Sequence, residues 1–268
     1  MKLNDFFAGH SVFTLAELDR FLAERGTTSR VNRNSLLSYH KKQGRILSVR
    51  RGLYVAVPPG SRPETCPFDP FLLAAKMTPD AVLAYHTALE FYGKAYSVFN
   101  RFYYLSARSS LPLQFRGHEF HCVSQPRNLV RKGKDDFGVN KTERSGVHVM
   151  VTGLERTLVD VLHRPDLSGW WEEVWRSLEM VEFYDIDKVV AYTSLLGNAT
   201  TAAKVGFFLE QHRDLLMIGD AYLQRLEALR PSQPHYMERS RRESGTLVSR
   251  WNLVVPEKVL QRSWSEVL

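Results

Sequence analysis

One short segment near the N-terminus limits the folds open to this chain more than anything after it. In Phe13-Thr14-Leu15-Ala16-Glu17-Leu18 a threonine precedes a glutamate by three residues, between two large apolar side chains. The Thr14 hydroxyl can accept from the Glu17 amide while the Glu17 carboxylate accepts from the Thr14 amide, and Phe13 and Leu18 occupy the two positions of a hydrophobic staple. A helix starts here. Leu15, Leu18 and Leu22 recur at helical spacing as its buried stripe, and Gly26 ends it. A second helix is expected within residues 29–43, capped by Ser29, Asn32 or Asn34 and ended by Gly44. Leu36, Leu37 and, at the margin, Val31 are expected to pack on the first helix. Residues 46–49 and 53–57 read as strands joined at Arg50-Arg51-Gly52, where Gly52 supplies the backbone freedom of the tip. Helix, turn, helix and hairpin in this order is the layout of a winged helix-turn-helix.

The charge falls on the same segment. From Arg25 to Val57 there are eight basic residues and no acidic one. Over residues 1–57, ten Lys and Arg face four Asp and Glu, so +6 of the chain's net +7 lies there and the remainder is nearly neutral at +1. A localised positive field is a statement about partners, and cations that neutralise DNA phosphates release condensed counterions. Arg30, Arg33, Asn34, Ser38, Lys41 and Lys42 are the candidates presented by the second helix, its first residues reading base edges and its lysines holding phosphates. Arg45 continues the basic run, and Arg50 and Arg51 would reach the adjacent backbone or minor groove from the tip. The alternative is a solvated basic surface on a winged helix that binds protein.

Pro58-Pro59-Gly60 and the prolines at 63 and 67 form a stiff segment, which sets expected domains at 1–59 and 68–268 with a linker at 60–67. The length of 268 residues also suits two domains. Beyond the linker, helices are expected at 69–77, 86–92, 171–180, 186–196, 199–212 and 220–229. Strands are expected at 102–107, 118–124, 147–151 and 247–255, with a short apolar run at 81–85. Thr152-Gly153-Leu154-Glu155 is a second capping box, opening a helix that Arg164-Pro165 closes. The expected class is therefore α+β, with a winged helix followed by a mixed α/β domain and a helical C-terminal part.

The remaining motifs argue against chemistry. Cys66 and Cys122 are isolated and suggest small core residues rather than a zinc site or a disulfide. No segment approaches the length of an apolar membrane span and no signal peptide opens the chain, so a cytoplasmic protein is expected. Arg156 and Asp160, four apart, read as a helical ion pair rather than an acid–base pair. His118 and His121 point to opposite faces of a strand. Pro165-Asp166 with Glu172 and Glu173 suggests a metal-dependent nuclease core, but no Glu-x-Lys strand follows. Trp171, Val174, Trp175 and Leu178 share a core face, whereas Trp170 falls off it and could anchor a partner. No catalytic constellation emerges, and no cofactor or metal is expected.

The line Phe13-Thr14-x-x-Glu17-Leu18, Gly44-Arg45-Ile46 and Arg50-Arg51-Gly52-Leu53-Tyr54 resembles the N-terminal winged helix of the AbiEi family of abortive-infection antitoxins and transcriptional regulators. Tyr85-His86-Thr87-Ala88-Leu89, Leu154-Glu155-Arg156-Thr157-Leu158-Val159-Asp160 and Asn198-Ala199-Thr200-Thr201-Ala202-Ala203-Lys204-Val205-Gly206 also resemble that family. The resemblance implies a repressor of its own promoter that binds operator DNA, and a C-terminal domain that neutralises a nucleotidyltransferase-type toxin encoded nearby. Cooperative or dimeric binding on DNA stays open. Alternatives are a DNA-targeting nuclease and a plain transcription factor with a sensing domain.

Overall fold

The computed structural model describes residues 3–26, 29–238 and 245–264. The chain is α+β and divides into two compact units, each assembled from three segments. Met1–Leu83, Asn100–Cys122 and Lys141–Met150 make the first; Ala84–Phe99, Val123–Asn140 and Val151–Leu268 make the second.

The first unit begins with α1 (Leu3–Gly9), β1 (Val12–Thr14), α2 (Leu15–Ala23), α3 (Arg30–Lys42), β2 (Ile46–Arg50) and β3 (Leu53–Ala56). The first capping box forms as expected. The Thr14 amide donates to Glu17 at 2.7 Å, and the Glu17 amide donates to the Thr14 hydroxyl at 3.3 Å. Lys76 Nζ lies 2.6 Å from the other Glu17 oxygen. Burial works to raise the Glu17 pKa, but the Lys76 and Thr14 bonds outweigh it and hold the carboxyl below its ordinary range. Ser29, of the three possible caps, starts α3 by accepting from the Asn32 amide at 3.4 Å. β3 lies between β1 and β2, antiparallel to both, with Val12 opposite Val55 and Ile46 opposite Ala56. Phe6, Phe13, Leu18, Phe21, Leu37 and Ile46 close a small core under this sheet. Removing one of its aromatic rings should cost about 3–5 kcal/mol through lost transfer energy and the cavity left behind.

Next come α4 (Pro70–Ala75), β4 (Val82–Leu83), α5 (His86–Phe91), β5 (Arg101–Ser106), β6 (Leu113–Phe115), β7 (His118–Ser124), α6 (Arg127–Arg131), β8 (Val139–Arg144) and β9 (Val147–Thr152). The six strands form one sheet in the order β6-β7-β5-β4-β9-β8. The proline-rich segment is not a boundary between the units. Arg116, between β6 and β7, donates to the Pro63 and Cys66 carbonyls, and Arg50 donates to the Ser110 hydroxyl at 3.0 Å. These bonds, with Lys76 on Glu17, fasten residues on both sides of the prolines into one unit. Cys66 is buried as expected, whereas Cys122 is only half-buried.

The second unit, which also includes α5 and α6, is mainly helical: α7 (Leu154–His163), α8 (Trp170–Glu179), α9 (Ile186–Leu196), α10 (Ala199–Gln211), α11 (Asp220–Glu227) and α12 (Glu257–Leu260). Leu158, Val161, Trp171, Val174, Trp175, Phe208 and Trp251 belong to its core. The second capping box does not form. Thr152 stays in β9 with its hydroxyl 2.8 Å from that of Thr157, while Glu155 accepts from the Asp185 amide. Gly153 becomes the cap residue instead. The strand expected at 247–255 is two strands, β11 (Gly245–Val248) and β12 (Leu253–Pro256), which form a sheet with β10 (His235–Tyr236). A turn between them drives Trp251 into the core over Gly206, where an added Cβ would meet the indole at 2.1 Å.

Candidate nucleic-acid interface

On α3 the burial pattern separates two faces. Leu37 and His40 are buried, and Leu36 and Arg33 are half-buried beside them. His40 packs edge-on to Phe7, with ring centres 5.1 Å apart. Burial and the nearby Arg45 charge depress the His40 pKa, so the imidazole sits neutral against the core. Outside that core face Arg30, Asn34, Ser38 and Lys42 recur every four residues, winding from its flank toward the far side of the helix, and all four are exposed. At 1.5 Å per residue that stripe runs for roughly 18 Å, enough to follow several base pairs in a major groove.

The structure moves several expected contacts. Arg33 does not join the exposed stripe, because its guanidinium grips both Asp19 oxygens at 3.0 and 2.8 Å and its side chain is 13% exposed. It braces α3 against α2. Arg25 folds back over the Phe21 ring at 3.6 Å and donates to the Phe21 carbonyl. Lys41 is exposed but stands 5.1 Å from the Tyr54 ring centre, which holds it toward the hairpin. Of the two tip residues, Arg51 is exposed and Arg50 is tied to Ser110. Arg45 is exposed at the far end of the hairpin from that tip, near the pairing of Ile46 with Ala56.

Val31, Ser35 and Tyr39 were missed as surface residues. Val31 is 73% and Tyr39 52% exposed on the side of α3 away from the core. A helical wheel that fixes the core face from Leu36, Leu37 and His40 places Val31 nearly opposite, so the signal was present in the sequence. The expectation that Val31 packs inward is overturned. An exposed apolar side chain on such a helix can meet a thymine methyl.

In the second unit the carboxylates with nuclease-like spacing do not converge. Asp166 takes a two-point contact from Arg164, Glu172 pairs with Arg176, and Glu173 lies 3.0 Å from His86. Arg156 and Asp160 do pair, at 3.4 Å, but both are 1% exposed rather than on the surface. Arg156 also donates to the Asp135 and Phe137 carbonyls at 2.8 Å, and Tyr192 donates to Asp160 at 2.7 Å. The pair is a buried brace. Trp171 and Trp175 are in the core as expected, while Trp170 is half-buried on the wall of a cleft.

No protein-family model and no curated protein matches the chain. Among solved structures it is similar to the crystal structure of the RV2827C protein from Mycobacterium tuberculosis, with a TM-score of 0.60 and 20% identity. The match spans 93% of this chain and 87% of that one, and at this identity it speaks to the fold.

Proposed function

We propose that this chain is a DNA-binding transcriptional regulator of antitoxin type, acting by binding rather than catalysis. The order helix, strand, helix, helix, strand, strand around a three-stranded antiparallel sheet supports a winged-helix reading of residues 3–56. One observation carries the DNA-binding reading: Arg30, Asn34, Ser38 and Lys42 share an exposed stripe on the second helix of the pair, with Arg51 exposed at the hairpin tip. In this reading α3 lies in the major groove and Arg51 on the neighbouring backbone. Repression of its own promoter and neutralisation of a nearby nucleotidyltransferase-type toxin follow from the resemblance of the helix–hairpin and Glu-Arg-Thr-Leu segments to AbiEi proteins.

Titration of the full chain with duplex DNA from upstream of its gene, at several salt concentrations, tests the DNA-binding reading. Arg30, Lys41, Lys42 and Arg51 should place about four contacts on phosphates, giving a slope of log K against log[salt] of roughly −3.6 per protomer. A slope near zero would overturn the proposal. So would unchanged binding after Arg30, Lys42 and Arg51 are all replaced by Ala.

A further inference from the structure

The loop between β5 and β6, residues 107–112, belongs to the same unit as the hairpin and is fastened to its tip. The Arg50 guanidinium donates to the Ser110 hydroxyl at 3.0 Å. The course of the loop is fixed from beneath as well. Asp80 accepts from the Ser106 hydroxyl and from the Ala107 amide, each at 2.8 Å. The Arg108 amide donates to the Ser106 hydroxyl at 2.9 Å, and the Cys122 thiol donates to the Arg108 carbonyl at 3.3 Å. Arg50 therefore joins the hairpin tip to a loop whose backbone is already held in place.

What this fixed backbone presents is a cation. Arg108 is exposed, and among the described residues its guanidinium has no hydrogen-bond or ion-pair partner. Other arginines of the same sheet and its loops are used inside the unit: Arg101 pairs with Glu119, Arg144 with Asp69, and Arg116 donates to the Pro63 and Cys66 carbonyls. Asp80 offsets part of the positive field at the base of the loop. Burial works to raise its pKa, but the bonds from Ser106 and Ala107 outweigh it, so it stays ionised with both oxygens engaged there. Glu119, opposite Gln114 on β7, is taken by Arg101 and by His121 at 3.1 Å. Arg108 is two residues from Ser110, about 7 Å of chain at most, and Arg51 adjoins Arg50, so both free cations lie close to the Arg50–Ser110 contact. A duplex carries a charge every ~1.7 Å of its axis, so one run of backbone can meet both. A cation on a restrained loop also gives up little freedom when it binds. We propose that the loop of residues 107–112 is a second wing, in which Arg108 holds a DNA phosphate beside the one on Arg51. This extends the DNA-binding reading and rests on it.

Titration of the full chain with duplex DNA from upstream of its gene, and with an unrelated duplex, at several salt concentrations tests this. A fifth phosphate contact brings the expected slope from roughly −3.6 to about −4.5 per protomer. Arg108→Ala and Arg108→Gln should each flatten the slope by about 1 and weaken both duplexes alike, since a phosphate contact carries no sequence information. Combined with Arg51→Ala, the flattening should reach about 2. Both Arg108 variants should melt with the wild type, because only an exposed side chain is altered. Arg101→Ala removes the same charge from the other end of β5 and should leave the slope as it is. An unaltered slope in both Arg108 variants, while Arg51→Ala loses its one contact, would overturn the second wing and leave the DNA-binding reading standing. A wild-type slope near zero would remove both. Equal flattening by Arg101→Ala would also overturn the second wing, by tracing the effect to net charge rather than to the loop.

Discussion

Arg33 and Asn34 are neighbours in sequence with opposite duties. The Arg33 guanidinium is held by Asp19, whereas Asn34 stands on the exposed stripe of α3. Arg33→Ala should therefore lower the melting temperature and, because Arg33 also donates to the Asn34 side-chain oxygen at 3.2 Å, reduce base preference less than loss of Asn34 itself. Asn34→Ala should leave stability intact and cost on the order of 1–3 kcal/mol of discrimination at one base pair. Binding to a panel of single-base operator variants, beside thermal melts, separates the two effects. Equal loss of discrimination in both variants would show that α3 is not reading bases in this orientation.

A second residue-scale expectation concerns His86, which is fully buried between Glu90 at 3.1 Å and Glu173 at 3.0 Å and stacks on Phe99. Burial acts to lower the His86 pKa, but hydrogen bonds to Glu173 and Glu90 outweigh it and raise it above 6.5. Burial likewise acts to raise Glu173, and is outweighed by bonds from His86 and Ser97 that bring it to about 2. The histidine's contribution to stability is full below 6.5 and fades as pH climbs through its raised folded value. The glutamate's is full above its ordinary 4.5 and is lost as pH falls toward about 2. The pair is thus most stabilising between those two ordinary values. His86→Gln should remove the alkaline fall in melting temperature, and an unchanged pH profile would show the cluster to be energetically inert.

At the scale of elements, the hairpin tip divides its two arginines. Arg51→Ala should weaken binding to all sequences alike and flatten the salt slope by about 1, the mark of one lost phosphate contact. Arg50→Ala should leave the slope nearly unchanged, because that side chain is bonded to Ser110. In the second unit, α7 carries the brace. Arg156→Ala leaves Asp160 buried without its cation and should cost about 3–5 kcal/mol, measurable by denaturant unfolding.

The first capping box, the hairpin around Gly52 and the helices from α8 to α11 were legible because each is written in local sequence: a cap, a glycine, an apolar period. The second capping box shows where local reading stops. Thr152 and Glu155 have the right spacing, yet one is held by a strand and the other by the Asp185 amide thirty residues away. Likewise β8 was missed because its pattern is polar and half-buried. The exposed stripe of α3 was legible in Arg30, Asn34, Ser38 and Lys42. The capture of Arg33 by Asp19, and of Arg50 by Ser110, depends on side chains brought close only by the folded chain.

The same distinction changes what can be tested on the whole molecule. Three segments build each unit, so neither is a contiguous piece that truncation at the prolines would release. A fragment ending at Pro59 keeps the helices and hairpin but loses Lys76 from Glu17 and Ser110 from Arg50. At about 60 residues it would have little core to spare, so it should melt well below the full chain. Point variants in the intact protein are the sounder route to separating the two proposed activities. With Arg30, Lys42 and Arg51 all changed to Ala, the exposed α3 stripe and the hairpin tip lose charge while the second unit keeps every residue. That variant should fail to retain operator DNA in a mobility-shift experiment yet still relieve growth arrest when co-expressed with the toxin proposed to be encoded nearby. All three side chains are exposed, so their removal should change stability by no more than about 0.5 kcal/mol each. Persistent growth arrest with the wild-type chain, shown to be folded and expressed, would reject the antitoxin half and leave a regulator acting through DNA alone. Arrest relieved by the wild type but not by the variant would place neutralisation on the same surface as DNA binding.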